Sequence, residues 1–452
     1  MKEVPFRAND IRGKYPIEVN ESLFYHVGLV IPKVLKVKKI AIGRDIRISS
    51  NSLFSMLVEG LNHIGCDVID LGLCDTPYTY FISGKYNLPC CMITASHNTK
   101  EYNGLKIVNS KAVPINEKQI KSLLSELKKI KHPHTHKLKE GKISFLDKRK
   151  EYLKFLFSQI DKKQLQPLKI VVDCSNGMAS TIVKSMFSQT PAKVSYINEA
   201  PNGLFPNHAP NPAINENLLQ LQKAVKKQKA DLGIIYDGDC DRVSFVDEKG
   251  MIIDPSITAS IFTHHFLENK PEKVVRTMTS GQILKDTIEN YGGSVINAKV
   301  GHRFIKEAMI RTKAIFGSEP SGHYYFNSNF HADSGILASL IFYYLISKAK
   351  APVSLVKHTF EKYFSLGEIN YSLKDRDKTY KKLVSMIKSH KPDKQSNLDG
   401  YFAQKTNEEG NTTYTTIRKS NTEPVIRVTI ESDSKQCALQ FKKGVESIIK
   451  HS

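Results

Sequence analysis

Asp237, Asp239 and Asp241 alternate in Asp237-Gly238-Asp239-Cys240-Asp241-Arg242, directly behind the apolar run Leu232-Gly233-Ile234-Ile235-Tyr236. In extended backbone, alternate side chains point the same way. Three carboxylates on one side repel unless a cation lies between them. Hard oxygen donors in an incomplete cage suit Mg²⁺, which keeps positions open for a phosphate oxygen. Arg242 beside them carries a guanidinium of the kind that clamps phosphate. A Ca²⁺ loop is the rival, because Glu248 falls at the twelfth position counted from Asp237. Arg242 stands sixth, where that loop needs Gly, and the flanks read as strands rather than helices.

Three further polar clusters could carry chemistry. Thr94-Ala95-Ser96-His97-Asn98 follows the apolar run Cys90-Cys91-Met92-Ile93, with Gly104 and Lys106 close behind. Ser96 is either a phosphoryl acceptor or a capping Ser in a turn. As a hydrolase nucleophile it lacks a surrounding G-x-S-x-G, and its neighbour His97 is poorly placed for triad geometry. A Ser that carries phosphate beside Mg²⁺ needs no triad. Glu319, Ser321 and His323 alternate across Pro320 and Gly322. They suit the vicinal hydroxyls of a sugar, or a tight turn around a buried Glu. Arg418, Ser420, Asn421 and Thr422 offer a guanidinium, hydroxyls and backbone N–H groups that would cradle a phosphate dianion. Capping roles explain Ser420 and Thr422 equally well, but Arg418 less easily. His132, His134 and His136 alternate around Pro133 with no acidic or Cys partner nearby, and read as a solvated loop.

The elements that must position these clusters are strands alternating with helices. Ile40-Ala41-Ile42-Gly43, Lys169-Ile170-Val171-Val172-Asp173 and the run before Asp237 are apolar strands ending in Gly- or Asp-rich turns. Amphipathic stretches such as residues 216–228 lie between them, which means α/β layers. The recurrence of strand-turn-helix units predicts related α/β domains in tandem. Residues 129–143 and 387–400 read as loop. Beyond them, strands are expected around residues 414–417 and 425–431, with a final helix over about 434–449.

At 452 residues the chain is long enough for three or four domains. Residues 1–13 are mostly polar and show no signal-peptide pattern. The longest apolar stretch, residues 336–346, is too short for a bilayer. The expectation is a soluble, cytoplasmic protein with no membrane partner. Seven Cys without a C-x-x-C pair point to reduced, mostly buried thiols. The formal charge of +21 is spread along the chain in short lysine groups. Without aromatic-interleaved basic repeats it reads as a solvated surface that also gathers phosphorylated substrate, not as a nucleic-acid site.

Together the motifs resemble those of the α-D-phosphohexomutase family, in the family's order and across essentially the whole chain. Thr94-Ala95-Ser96-His97-Asn98 resembles the phosphoserine loop, D-G-D-x-D-R the Mg²⁺ loop, G-x-E-x-S-G-H the sugar loop and R-x-S-N-T-E-P-x-x-R the phosphate loop, which ends at Arg427. Residues 6–13, 205–212 and 299–302 also match. The resemblance implies three tandem related α/β domains plus a smaller C-terminal α+β domain around a central cleft, over residues 1–150, 151–254, 255–367 and 368–452. It implies a phosphoryl group on Ser96, which joins the three Asp as a Mg²⁺ ligand. Arg12 and Lys106 fall where residues assist proton transfer, and His97 adjoins the same site. Arg242, Lys299, Glu319, Ser321, His323, Arg418, Ser420, Asn421, Thr422 and Arg427 fall at substrate-binding positions. The implied substrates are hexose phosphates, with a hexose 1,6-bisphosphate as intermediate and activator and a monomer or homodimer as the assembly.

Asn421 resembles the phosphomannomutase/phosphoglucomutase branch, since the phosphoglucosamine mutase branch usually shows Gly there. Four departures stand out. Asn9 replaces a frequent Tyr, and Pro320 is unusual in both branches. Thr99 replaces the usual Pro after Asn98, which predicts a less stiff phosphoserine loop. Cys240 replaces Gly, which predicts a negative φ there. A phosphoglucosamine mutase is the alternative enzyme, and a catalytically silent sugar-phosphate-binding protein the alternative of another class. The intact Ser96, three Asp and Arg242 argue against the silent binder.

Overall fold

The computed structural model describes residues 5–7, 10–130, 140–373, 375–420 and 425–450. The chain divides into two compact units, Met1–Ile253 with Ser321–Val356, and Asp254–Pro320 with Lys357–Ser452. Asn9, Asn421, Thr422 and the histidines at 132, 134 and 136 lie outside the described residues.

The first unit opens with a seven-stranded sheet. Its strands Cys90–Ile93, Lys39–Arg44, Asp67–Leu73 and Ile143–Phe145 run parallel, and Tyr102–Val108 and Asp10–Lys14 add to it antiparallel. Apolar runs buried on both faces suit such parallel strands. Ile40, Ile42, Cys91, Ile93 and Leu105 enter a core with Leu53, Leu57 and Leu61 of the helix Ser50–His63. In the register, Arg12 pairs with Gly104 and Met92 with Lys106. Arg12 and Lys106 therefore project from one face. Gly104 lies between them because a Cβ there would be 2.2 Å from the Ile11 carbonyl oxygen.

A second sheet runs in the order Val243–Asp247, Leu232–Tyr236, Lys169–Asp173, Lys193–Ile197. The last three strands are parallel, so their carboxyl ends gather their loops at one edge, where α/β folds bind ligands. The flanks of the acidic loop are strands, as its sequence predicts. The helix expected over 216–228 begins as a 3₁₀ turn, Asn215–Leu218, before Leu219–Gln228. The unit closes with a short hairpin, Tyr324–Phe326 against Ala332–Asp333, and the buried helix Gly335–Ala349. That helix contains the apolar stretch 336–346, and no described helix is long and apolar enough to cross a membrane.

The second unit holds two layers of different kind. Ser294–Ala298, Lys273–Thr277 and Phe316–Ser318 form parallel strands with intervening helices. Residues 364–432 supply a five-stranded antiparallel sheet. The helices Arg376–Ser389 and Lys435–Lys450 share its core, where Leu383, Ile387, Ala438 and Val445 meet Ile417, Ile426, Val428 and Ile430. Residues 387–400 are less loop-like than predicted, because the helix runs to Ser389 and a short strand occupies Lys394–Ser396. All seven cysteines are free, six of them buried.

Candidate active site

Ser96 sits just beyond the strand Cys90–Ile93, in a left-handed conformation with φ +50°. That region costs an L-residue roughly 1–2 kcal/mol, so the loop must be held in place. Arg47 holds it. Its Nη2 donates to the carbonyls of Ser96 at 2.8 Å and Asn98 at 2.6 Å, and its Nη1 to those of Thr99 at 2.7 Å and Tyr102 at 3.0 Å. Asp45 accepts from Arg47 Nε at 3.1 Å, and the ring of Phe205 lies 5.0 Å from the guanidinium. The missing Pro at 99 is thus offset by a buried side-chain clamp on the Thr99 carbonyl itself. No motif in the sequence marks Arg47; its one signal is a fifth polar cluster, Arg44-Asp45-Ile46-Arg47, at the end of a buried strand.

The acidic loop meets Ser96 directly. Ser96 Oγ donates to Asp237 Oδ2 at 2.7 Å, and His97 Nδ1 lies 3.3 Å from the same hydroxyl. Gly238 permits this approach, because a Cβ there would stand 2.7 Å from the Ser96 carbonyl oxygen. The expectation for Cys240 is wrong. Its φ is +66°, so the loop adopts the turn that Gly would favour and carries a fully buried Cβ and Sγ through it. The Cys240 carbonyl accepts from Gly335 N at 3.0 Å, which ties the strained turn to the start of the helix Gly335–Ala349.

The three Asp are fully or almost fully buried, and a cation does lie among them. Lys106 Nζ donates to Asp239 Oδ2 at 2.6 Å and also to Asp241 Oδ2. Thr76, the first residue of a helix capped by Asp75, donates to Asp239 as well. Burial pulls the Lys106 ammonium down, but Asp239 and Asp241 outweigh it and raise its pKa. Burial, together with Asp241 and Asp239, pushes the Asp237 carboxyl well above the usual range. Asp241 is lowered: burial opposes its charge, but Lys106, His323 and Arg242 prevail. Burial and the positive charges of Arg242 and Arg12 hold the His97 imidazole neutral. Arg12 donates to Asn98 Oδ1 at 3.2 Å and pairs with Asp10.

Two groups of potential metal ligands occur among the described residues. One is Asp237, Asp239 and Asp241; the other is Asp241, His323 and Asp333. In the first, Asp239 Oδ1 and Asp241 Oδ1 are buried and have no hydrogen-bond partner. Orphaned carboxylate oxygens of this kind fit a hard cation. In the second, His323 Nε2 already accepts from Arg242 Nε at 2.9 Å. Ser321 is half-buried and joins His323 in this first unit.

Glu319 belongs to the second unit, where its Oε1 accepts from Gly301 N at 2.7 Å. Lys299 is exposed just before that turn. Val300 N donates to Asp399 Oδ2 at 2.9 Å, and the loop at Asp399 and Gly400 packs on Arg418. Arg418 and Arg427 pair directly across neighbouring strands. Like charges in that register repel. Glu368 resolves the conflict by accepting from Arg418 Nη2 at 2.7 Å and Arg427 Nη1 at 2.9 Å. Ser420 is buried, and its carbonyl accepts from Arg376 Nη1 at 2.8 Å. Nothing in the sequence marks Thr76, Glu368 or Asp399; each lies far along the chain from the residue it supports.

Two domains that place a serine loop against an acidic loop, followed by a parallel third layer and an antiparallel fourth, define a phosphosugar mutase class. Four family domains match in order: phosphoglucomutase/phosphomannomutase alpha/beta/alpha domains I, II and III over residues 3–134, 145–250 and 254–363, and the C-terminal domain over 368–447. The chain belongs to the phosphoglucomutase/phosphomannomutase family and is a phosphohexomutase, an intramolecular phosphotransferase. It is 34% identical to a phosphomannomutase of Methanocaldococcus jannaschii, covering 98% of this chain and 97% of that protein. A phosphomannomutase of Escherichia coli K12 is 33% identical over 94% of each chain. A crystal structure of a phosphoglucomutase/phosphomannomutase family protein from Burkholderia thailandensis superposes with TM-score 0.88 at 25% identity, covering 100% of this chain and 98% of that one. An Aspergillus fumigatus N-acetylphosphoglucosamine mutase shares the fold at TM-score 0.58 and 14% identity, over 91% of this chain and 82% of that one.

Proposed function

We propose that the protein interconverts the 1- and 6-phosphates of mannose or glucose through a phosphoserine at Ser96 and a hexose 1,6-bisphosphate. The observation that supports this reading is the 2.7 Å hydrogen bond from Ser96 Oγ to Asp237, which joins a serine hydroxyl to the acidic loop. Asp237, Asp239, Asp241 and an oxygen on Ser96 would hold Mg²⁺, whose charge would neutralise that of the transferring group. Arg47 keeps the Ser96 loop rigid, so the hydroxyl need not be reoriented for each half-reaction. The O–P bond at Ser96 breaks as one forms to the sugar hydroxyl. The proton of that hydroxyl passes to Ser96 Oγ with the help of Arg12 and Lys106.

Reorientation of the bisphosphate, followed by transfer of its other phosphoryl group back to Ser96, completes the cycle. Arg242, Lys299, Glu319, Ser321 and His323 are the proposed sugar and phosphate contacts. Arg418, Ser420, Asn421, Thr422 and Arg427 are the proposed clamp for the phosphate that is not reacting. A coupled assay with mannose, glucose and glucosamine 1-phosphates, with and without glucose 1,6-bisphosphate, tests this. Turnover of mannose or glucose 1-phosphate, increased by the bisphosphate, is expected. Turnover of the glucosamine compound alone would move the protein to the other branch. Binding without any turnover would make it a silent binder.

A further inference from the structure

The segment Phe205-Pro206-Asn207-His208-Ala209-Pro210-Asn211-Pro212 supplies none of the proposed catalytic, metal or substrate residues, yet it runs between the two loops that do. One end lies on Arg47. A Cβ on Gly203 would stand 2.4 Å from the Ile46 carbonyl oxygen and 2.9 Å from Arg47 Cα, so the chain passes flush against that backbone. The Arg47 guanidinium carbon lies over the Phe205 ring, 5.0 Å from its centre. The other end lies on the acidic loop. A Cβ on Gly238 would be 3.5 Å from Pro210 Cβ and Cγ, and beyond that loop Ser244 Oγ donates to the Pro212 carbonyl at 3.1 Å. The middle is pinned to the carboxyl edge of the second sheet. Asn207 Nδ2 donates to Asn176 Oδ1 at 2.9 Å, and His208 Nε2 lies 3.0 Å from Oδ2 of the fully buried Asp173.

Phe205 holds φ +49°, a left-handed conformation that is rare for a bulky residue. Such strain persists only where the surroundings fix it, and it clusters at functional sites. Here it brings the ring to a cation whose hydrogen-bonding capacity is already taken up. The five N–H groups of the Arg47 guanidinium meet Asp45 and the carbonyls of Ser96, Asn98, Thr99 and Tyr102. The ring therefore adds no hydrogen bond. It attracts the cation through its quadrupole, an effect that grows on desolvation, and the Arg47 side chain is only 1% exposed. We propose that residues 203–212 are a strap that sets the Ser96 loop against the acidic loop, and that Phe205 is its positioning residue, acting on Ser96 through Arg47. The effect on turnover rests on the mutase reading; the contacts stand without it.

Hydrogen-exchange mass spectrometry and steady-state kinetics of the full chain test this with Phe205→Leu, which keeps an apolar side chain and removes the ring. Backbone exchange should quicken in residues 94–102, far from position 205 in the chain. The kcat should fall by about 10–100-fold, the scale on which a small misplacement of reacting groups acts. KM for hexose phosphates should stay near that of the parent, because the strap touches none of the proposed substrate contacts. Phe205→Tyr keeps the ring and should recover most of the turnover and protection lost in Phe205→Leu. Gly203→Ala presses a Cβ on the Ile46 carbonyl. It should lift the strap from Arg47 and give the same signature even if Phe205→Leu does not fold. Faster exchange confined to residues 198–212 with kcat unchanged, or equal losses in the Leu and Tyr variants, would overturn the strap. Quicker exchange at 94–102 in variants of a parent that turns over no hexose phosphate would keep the strap and refute the mutase reading, so the two failures are distinguishable.

Discussion

The Arg47 guanidinium and the Ser96 carbonyl, 2.8 Å apart, join the end of one buried strand to the left-handed residue that ends another. Four carbonyls of the Ser96 loop converge on that single side chain. Arg47→Lys keeps the charge but cannot span four acceptors with three donors on one atom. Hydrogen bonds from a charged group contribute about 1.5–3 kcal/mol each. A loss of about 2–3 kcal/mol is expected in urea unfolding, together with a lower phosphoserine content per molecule. Parent-like stability would show that the loop is held elsewhere.

Repulsion among three carboxylates would by itself make Asp239→Asn stabilising in the absence of metal. Lys106 and Thr76 reverse that sign, because both donate to Asp239. Removing one partner of a buried pair leaves the other undercompensated. The metal-free variant should therefore melt lower, by about 1–3 kcal/mol in stability. It should also gain less from Mg²⁺ than the parent does. Equal gains in thermal melts with Mg²⁺ and with a chelator would place the metal elsewhere.

His208 should make stability pH-dependent. Its Nε2 lies 3.0 Å from Asp173 Oδ2 and its Nδ1 lies 2.9 Å from the Ala209 carbonyl. Burial opposes the charge, but Asp173 outweighs it, and the pKa rises above the ordinary 6.5. A raised folded pKa means that this contribution is complete below about 6.5 and is lost as pH climbs through the higher folded value. Denaturant midpoints should fall over that interval in the parent and fall less in His208→Gln. The opposite slope would mean that the ring is neutral in the fold.

Arg418→Lys should weaken binding of sugar phosphates by about 1–3 kcal/mol, because a point charge replaces a fixed fork. Both 1- and 6-phosphates should be affected, since in the proposed cycle either end would present its non-reacting phosphate to this loop. Glu368 aligns Arg418 with Arg427, so Glu368→Gln should also raise KM for both. Unchanged Michaelis constants in both variants would remove this loop from substrate binding.

The sequence was most legible where chemistry and local backbone coincide. Asp237, Asp239 and Asp241 lie together in one turn, and their alternation shows in six residues. The strand before Ser96 has the bounds Cys90–Ile93 that its apolar run predicts. What stayed hidden depends on contacts distant in the chain. Nothing around Arg47 says that it will reach residues 96–102. Nothing around Lys106 says that its ammonium will be the cation between Asp239 and Asp241. Cys240 failed for a different reason: its local preference for negative φ yields to the turn that brings Asp239 and Asp241 to Lys106.

The central claim is that Ser96 carries the phosphoryl group between half-reactions. Intact-mass analysis followed by phosphopeptide mapping tests it most directly, on the parent and on Ser96→Ala. The account predicts a fraction of the parent with one phosphoryl group, mapped to Ser96. It predicts no such fraction and no normal turnover in the variant, which lacks the acceptor oxygen but should still bind hexose phosphate. A phosphopeptide at another residue, with turnover surviving in Ser96→Ala, would contradict it.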